Sequence, residues 1–355
     1  MYINDGLTYK NTFVAHRSIY RNQLSEVTVQ DKLFNGHMGH NTGYGIVNVR
    51  KSAIGEFNER TSLFLDTSQK FIDGLRLSTS TIERVDSSLV TFKSHRFGDS
   101  SGLGSYSNSS RALRKAILEF YERQSFIFHW VNHVPGKIVN SRVLSKLLGG
   151  SRSFTLLNLF FPKILVSSIS IFNGVYVTVL LGISSSLKVL GLGSGFSLKE
   201  SVKEAVNESV ESLSGTRMEN NDLDISQKNG DQSSITIRNG LTNIEYYARL
   251  SPLELLKEFS FLFEAGKNEL MVNDSDEFEA NYLQYLRENE LHYNIEIIGV
   301  GVLGPNELKL PKIIKVISTE GYPYMYPPYF SRDQMRAYLK GNSEEHQWKT
   351  PIPFP

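Results

Sequence analysis

The chain has 355 residues, with 38 Lys and Arg against 37 Asp and Glu, a formal charge of +1, and no cysteine. A hydrophobic fraction of 40% beside 21% charged residues is globular composition and excludes general disorder. Without cysteine there are no disulfides, thiolate metal sites or cysteine nucleophiles, and the balanced charge argues against nucleic-acid binding through bulk electrostatics.

Residues 1–10 are polar and lack the apolar centre of an export signal. Apolar spacing predicts helices over 50–65, 111–131, 198–213 and 252–264. Strands are predicted over 88–93 and 156–161, then over 164–172 and 175–181, which flank Asn173-Gly174, a strong hairpin signal. Further strands are expected over 294–302 and 312–318. Residues 218–240, rich in Asn, Asp, Ser and Gln, read as a flexible loop. The apolar stretch 154–183 is broken by Pro162, Lys163 and Asn173-Gly174, so no run approaches the roughly 20 residues that span a bilayer. The expected product is a single α/β (α+β) domain over 1–355, cytoplasmic, with no membrane partner.

An internal repeat carries the chemistry. Ser52-Ala53-Ile54-Gly55-Glu56-Phe57-Asn58-Glu59-Arg60 matches Lys115-Ala116-Ile117-Leu118-Glu119-Phe120-Tyr121-Glu122-Arg123 at six of nine positions. A degenerate third copy follows at Ala205-Val206-Asn207-Glu208-Ser209-Val210-Glu211. Glutamates three apart share one helix face, with Cβ atoms roughly 5–6 Å apart. Gly102-Leu103-Gly104-Ser105 and Gly191-Leu192-Gly193-Ser194 precede the second and third copies, the second glycine lying fifteen residues before Glu119 and Glu208. Before the first copy stands Gly43-Tyr44-Gly45, eleven residues before Glu56.

Glycine loops running into helix N-termini suit phosphate. Glutamates repel phosphate but hold Mg²⁺, which prefers hard oxygen ligands and bridges to nucleotide phosphates. Arg60 and Arg123 could neutralise phosphate or pair with the adjacent glutamates. A lone Glu-x-x-Glu-Arg would be a solvated helix face. Its recurrence with both acids and the arginine retained favours a site.

Other motifs are weaker. Gly191-x-Gly193 is not followed by a third glycine, because residue 196 is Phe, and no P-loop or Gly-x-Ser-x-Gly elbow occurs. His129 with His133, and His37 with His40, read as packing or surface pairs. The run 322–329 of Tyr, Pro and Met reads as a rigid loop. The tail Pro351-Ile352-Pro353-Phe354-Pro355 favours extended polyproline II. It is either a loose end or a stiff arm that holds the Pro355 carboxylate at one point as a base.

Together these motifs resemble the YcaO family, across most of the chain: Ser52-x-x-x-Glu56-x-x-Glu59-Arg60, the 102–123 segment ending Glu119-x-x-Glu122-Arg123, the segment 197–211, and the terminal Pro-x-Pro-x-Pro. The resemblance is to discrete cyclodehydratase subunits of microcin B-type azole/azoline heterocycle synthetases. It implies a YcaO-type fold and ATP-dependent conversion of Cys, Ser or Thr in a ribosomally made precursor peptide to thiazoline or oxazoline rings. It implies Mg²⁺ at Glu56, Glu59, Glu119 and Glu122, ATP contacts at Ser52, Ser105, Ser107, Arg123 and Glu208, and the Pro355 carboxylate as catalytic base. Ser107 stands where many relatives have Asn, and Glu211 and Leu213 where the third motif has Gln and Arg. Implied partners are the precursor peptide, a leader-binding E1-like protein with a peptide-recognition domain, and an FMN-dependent azoline dehydrogenase, in a hetero-oligomeric complex. Thioamide or amidine formation, or a non-catalytic nucleotide-binding docking subunit, are the alternatives.

Overall fold

The computed structural model describes residues 12–19, 24–31, 38–63, 69–91, 100–229, 242–264, 282–302, 311–339 and 350–355. The chain divides into two compact units where the sequence predicts one domain: residues 1–123 with 281–324, and residues 124–280 with 325–355. Composition carries no mark of that division, because it falls inside one helix.

In the first unit, β1 (Thr12–Ile19), β2 (Leu24–Asp31) and β3 (Met38–Gly43) form an antiparallel sheet against α1 (Ile46–Ser62). Val27, Val29, Val49, Ala53 and Phe57 are the core of that contact. Then come β4 (Phe71–Arg76), β5 (Thr81–Asp86), β6 (Leu103–Tyr106) and α2 (Ser109–Asn132), which runs on into the second unit.

The second unit continues with β7 (Lys137–Ile138), α3 (Ser141–Leu148), α4 (Arg152–Phe160), β8 (Lys163–Ser168), β9 (Tyr176–Ile183), β10 (Lys188–Gly195) and α5 (Leu198–Asn229). It also holds α6 (Asn243–Arg249) and α7 (Pro252–Glu258), each begun by a capping box. The chain returns to the first unit with α8 (Tyr282–Tyr293), β11 (Ile298–Val302) and β12 (Lys312–Ile317), and to the second with α9 (Arg332–Met335). The first unit's larger sheet has the order β5-β4-β11-β12-β6, and the second unit's sheet β10-β9-β8-β7, with every pair antiparallel.

Three predicted elements are corrected. Residues 156–161 lie mostly in α4, because the Ser151 hydroxyl caps the Phe154 N–H and a short apolar run does not by itself choose strand over helix. Residues 87–89 form a 3₁₀ turn capped by Asp86 instead of starting a strand. Helix α5 runs through Asn229, into the segment predicted as loop. The rest of that loop lies outside the described residues. The Asn173-Gly174 hairpin holds: β8 and β9 pair antiparallel, and Gly174 takes φ +76°, which a side chain would resist.

His129 on α2 is a packing residue. It is buried, its Nδ1–H donates to the Val134 carbonyl at 2.8 Å, and burial pushes its pKa down from 6.5 to about 4 despite that bond. The unfolded chain therefore binds a proton that the folded unit refuses. Stability is complete above about pH 6.5 and falls as the pH drops toward about 4, by at most roughly 3 kcal/mol. His129→Gln keeps a donor without a titrating ring, so its acid unfolding midpoint should lie lower than that of the native chain. Identical midpoints in an acid titration followed by circular dichroism would contradict this.

Candidate functional site

The repeated segments do form helices, and each helix lies against a glycine-bearing strand. A Cβ on Gly191 would stand 2.1 Å from the Ala205 carbonyl oxygen, and one on Gly39 would stand 2.0 Å from that of Ala53. On Gly104 it would meet the Ala112 carbonyl at 2.3 Å. These glycines let strand and helix backbones touch; they lie in strands and are not loops that cradle phosphate. The structure also corrects the first copy's glycine. Gly39, Gly102 and Gly191 each precede their glutamate (Glu56, Glu119, Glu208) by seventeen residues, a spacing present in the sequence but hidden by the nearer Gly43-Tyr44-Gly45.

Within the first unit, α1 and α2 bring their acids together. Glu56 accepts the His40 N–H at 2.6 Å and pairs with Arg60 Nη2 at 2.6 Å. Glu59 is buried and accepts the Ser105 N–H at 2.6 Å and Lys115 Nζ at 2.7 Å. Arg123 Nε stands 3.7 Å from Glu122 and 4.0 Å from Glu119. Burial pushes the Glu119 carboxyl up to about 8; Arg123 and Lys115 oppose that rise, while Glu59 and Glu122 add to it. A carboxyl whose charge is disfavoured first by burial and then by neighbouring acids is a candidate functional group.

The repeat is also visible in what the glutamates hold. Glu208 accepts the Leu192 N–H at 2.5 Å, sixteen residues upstream, as Glu56 accepts that of His40, also sixteen upstream. At the corresponding place before Glu119, Leu103 gives its N–H to the Ser100 carbonyl instead. Glu119 is thus not tied to its strand by that bond.

Of the remaining predicted residues, Ser105 is buried beside Glu59, with its hydroxyl against Gly55. Ser52 and Ser107 are exposed in the same unit. Glu208 and Pro355 belong to the second unit. There the tail is ordered: Ile352 is fully buried, Phe354 meets Phe126 edge-on at 5.6 Å, and Pro355 is exposed.

Lys115 is the residue the sequence reading missed. It stands in the repeat at the position of Ser52, and that exchange within the motif was the available signal. A second missed group is Glu26 on β2, buried, which pairs with Arg17 and with His40 Nε2 at 3.1 Å. Burial works against the Glu26 charge, but the bonds from His40 and Arg17 outweigh it and lower its pKa.

The four carboxylates of α1 and α2 are hard-oxygen donors of the kind Mg²⁺ takes. Among the described residues no three His, Asp or Glu side chains already converge as a metal site. Glu56, Glu59, Glu119 and Glu122 each have a basic side chain beside them.

No family model matches the sequence, and no curated protein does. Solved structures do match. The E. coli microcin synthetase McbBCD complex with pro-MccB17 bound contains a chain with a TM-score of 0.71 at 15% identity, over 97% of this chain and 96% of that one. YcaO from Methanopyrus kandleri, bound with AMPPCP and Mg²⁺, gives 0.63 at 15% identity, over 87% and 84%. A heterocyclase in complex with substrate and cofactor gives 0.68 at 15%, over 96% of this chain and 54% of that one. The fold is that of the YcaO proteins, a mixed helix and sheet architecture.

Proposed function

We propose that this chain, built on the YcaO fold, is an ATP-dependent peptide cyclodehydratase. The carrying observation is the carboxylate cluster, in which Glu59 and Glu119 from two repeated helices lie within range of one another and of Lys115. The AMPPCP and Mg²⁺ bound by the Methanopyrus kandleri protein, and the pro-MccB17 bound by the microcin synthetase, support nucleotide and precursor peptide as ligands.

Glu56, Glu59, Glu119 and Glu122 would hold Mg²⁺, and Ser52, Ser105 and Ser107 of the same unit would complete the nucleotide site. Mg²⁺ held there would supply positive charge to offset that of the ATP phosphates. Arg123, held beside Glu119 and Glu122, supplies a fixed positive charge to phosphate. The Pro355 carboxylate takes the proton from the peptide group that cyclises. A Cys, Ser or Thr side chain adds to the preceding carbonyl carbon, and the resulting oxyanion attacks the γ-phosphoryl group, releasing ADP. Inorganic phosphate then leaves with the former amide oxygen while the amide N–H proton passes to solvent, giving the C=N bond of the azoline. Partners in this reading are a leader-binding E1-like protein and an FMN-dependent azoline dehydrogenase.

Mass spectrometry of precursor peptide incubated with the chain, the leader-binding partner and ATP, with the dehydrogenase left out, should reveal the loss of one water per ring. An unaltered peptide mass, with nucleotide binding intact, would sink the proposal.

A further inference from the structure

Lys115 lies one turn before Glu119 and two before Arg123, so all three share a face of α2. Its ammonium donates to Glu59 Oε1 at 2.7 Å. The side chain is half exposed, at 50%, so it can leave this position without opening the core. Glu59, which the ammonium contacts, is one of the four carboxylates assigned above to Mg²⁺.

We propose that Lys115 is a tethered counter-ion that keeps the Glu56–Glu59–Glu119 cluster from taking up a divalent cation alone, and turns to the phosphates once nucleotide enters. An ammonium and a divalent ion compete for the same oxygens, and a polyphosphate offers the ammonium an alternative partner. Metal and nucleotide then bind tightly only together. This inference rests on the metal–nucleotide reading of the cluster.

The test is Mn²⁺ binding, followed by the electron paramagnetic resonance of free Mn²⁺, with and without a non-hydrolysable ATP analogue. Removing one charge at contact distance should make Lys115→Met bind Mn²⁺ alone about tenfold tighter than the native chain. The analogue should then enhance Mn²⁺ binding less than it does in the native chain. Lys115→Arg, which keeps the charge, should behave like the native chain, and Lys115→Gln serves as the neutral variant if methionine disturbs packing. If the neutral variants bind Mn²⁺ alone no more tightly, while binding with the analogue persists, the counter-ion role is wrong and the site stands. If no form of the protein takes up Mn²⁺ with or without the analogue, the metal–nucleotide reading falls and the inference falls with it.

Discussion

Glu119→Gln is expected to weaken Mg-ATP binding about 100-fold or more, while the melting temperature stays unchanged or rises. The two effects share one cause. Burial, with Glu59 and Glu122 nearby, pushes the Glu119 carboxyl up to about 8, so its ionised form is a net burden on the folded protein. Gln keeps the shape and removes the burden, but it removes a hard anionic ligand as well. A residue kept at a cost to stability is explained by what it binds. Calorimetric titration with Mg²⁺ and an ATP analogue, beside a thermal melt, separates the terms. Unchanged affinity would remove Glu119 from the metal set, and a large drop in melting temperature would make it a structural ion pair with Arg123.

One glycine appended after Pro355 should abolish cyclisation, by about 100-fold or more, while leaving nucleotide affinity and stability unchanged. Pro355 is exposed, so an added residue meets no packing obstacle, yet it moves the carboxylate by a full residue. Phe354→Ala should act differently. Phe354 lies on Phe126, which itself stacks on Phe259, and Ile352 is fully buried. Losing that ring should cost on the order of 3 kcal/mol and free the arm. An extended chain that cyclises its peptide at the native rate would dismiss the carboxylate as base. If Phe354→Ala is as stable as the native chain, the arm is not anchored by its aromatic ring.

The acids were legible in the sequence because a repeat exposes what a single copy hides: Glu56 with Glu59, and Glu119 with Glu122, recur with their arginines. Their strands were less so. The repeat's glycines look like phosphate loops, whereas Gly39, Gly104 and Gly191 are points where strand and helix backbones touch, a property of tertiary contact. Strands β1 to β3 were passed over, because a half-buried strand such as β2 mixes buried Val27 and Val29 with the buried acid Glu26, which breaks a simple apolar count. Residues 156–161 went the other way, since six apolar-rich residues fit either period until Ser151 caps the helix. Lys115 was invisible as a functional residue because its partner Glu59 lies fifty-six positions away.

The most direct measurement follows an oxygen atom. A precursor peptide carrying heavy oxygen in the amide carbonyl before a cyclising Cys or Ser is incubated with the chain, its partners and ATP. Cyclodehydration by amide-oxygen phosphorylation predicts that every ring formed releases its heavy oxygen in inorganic phosphate. Rings formed with the label in water, or ATP consumed with the label still in the peptide, would contradict it.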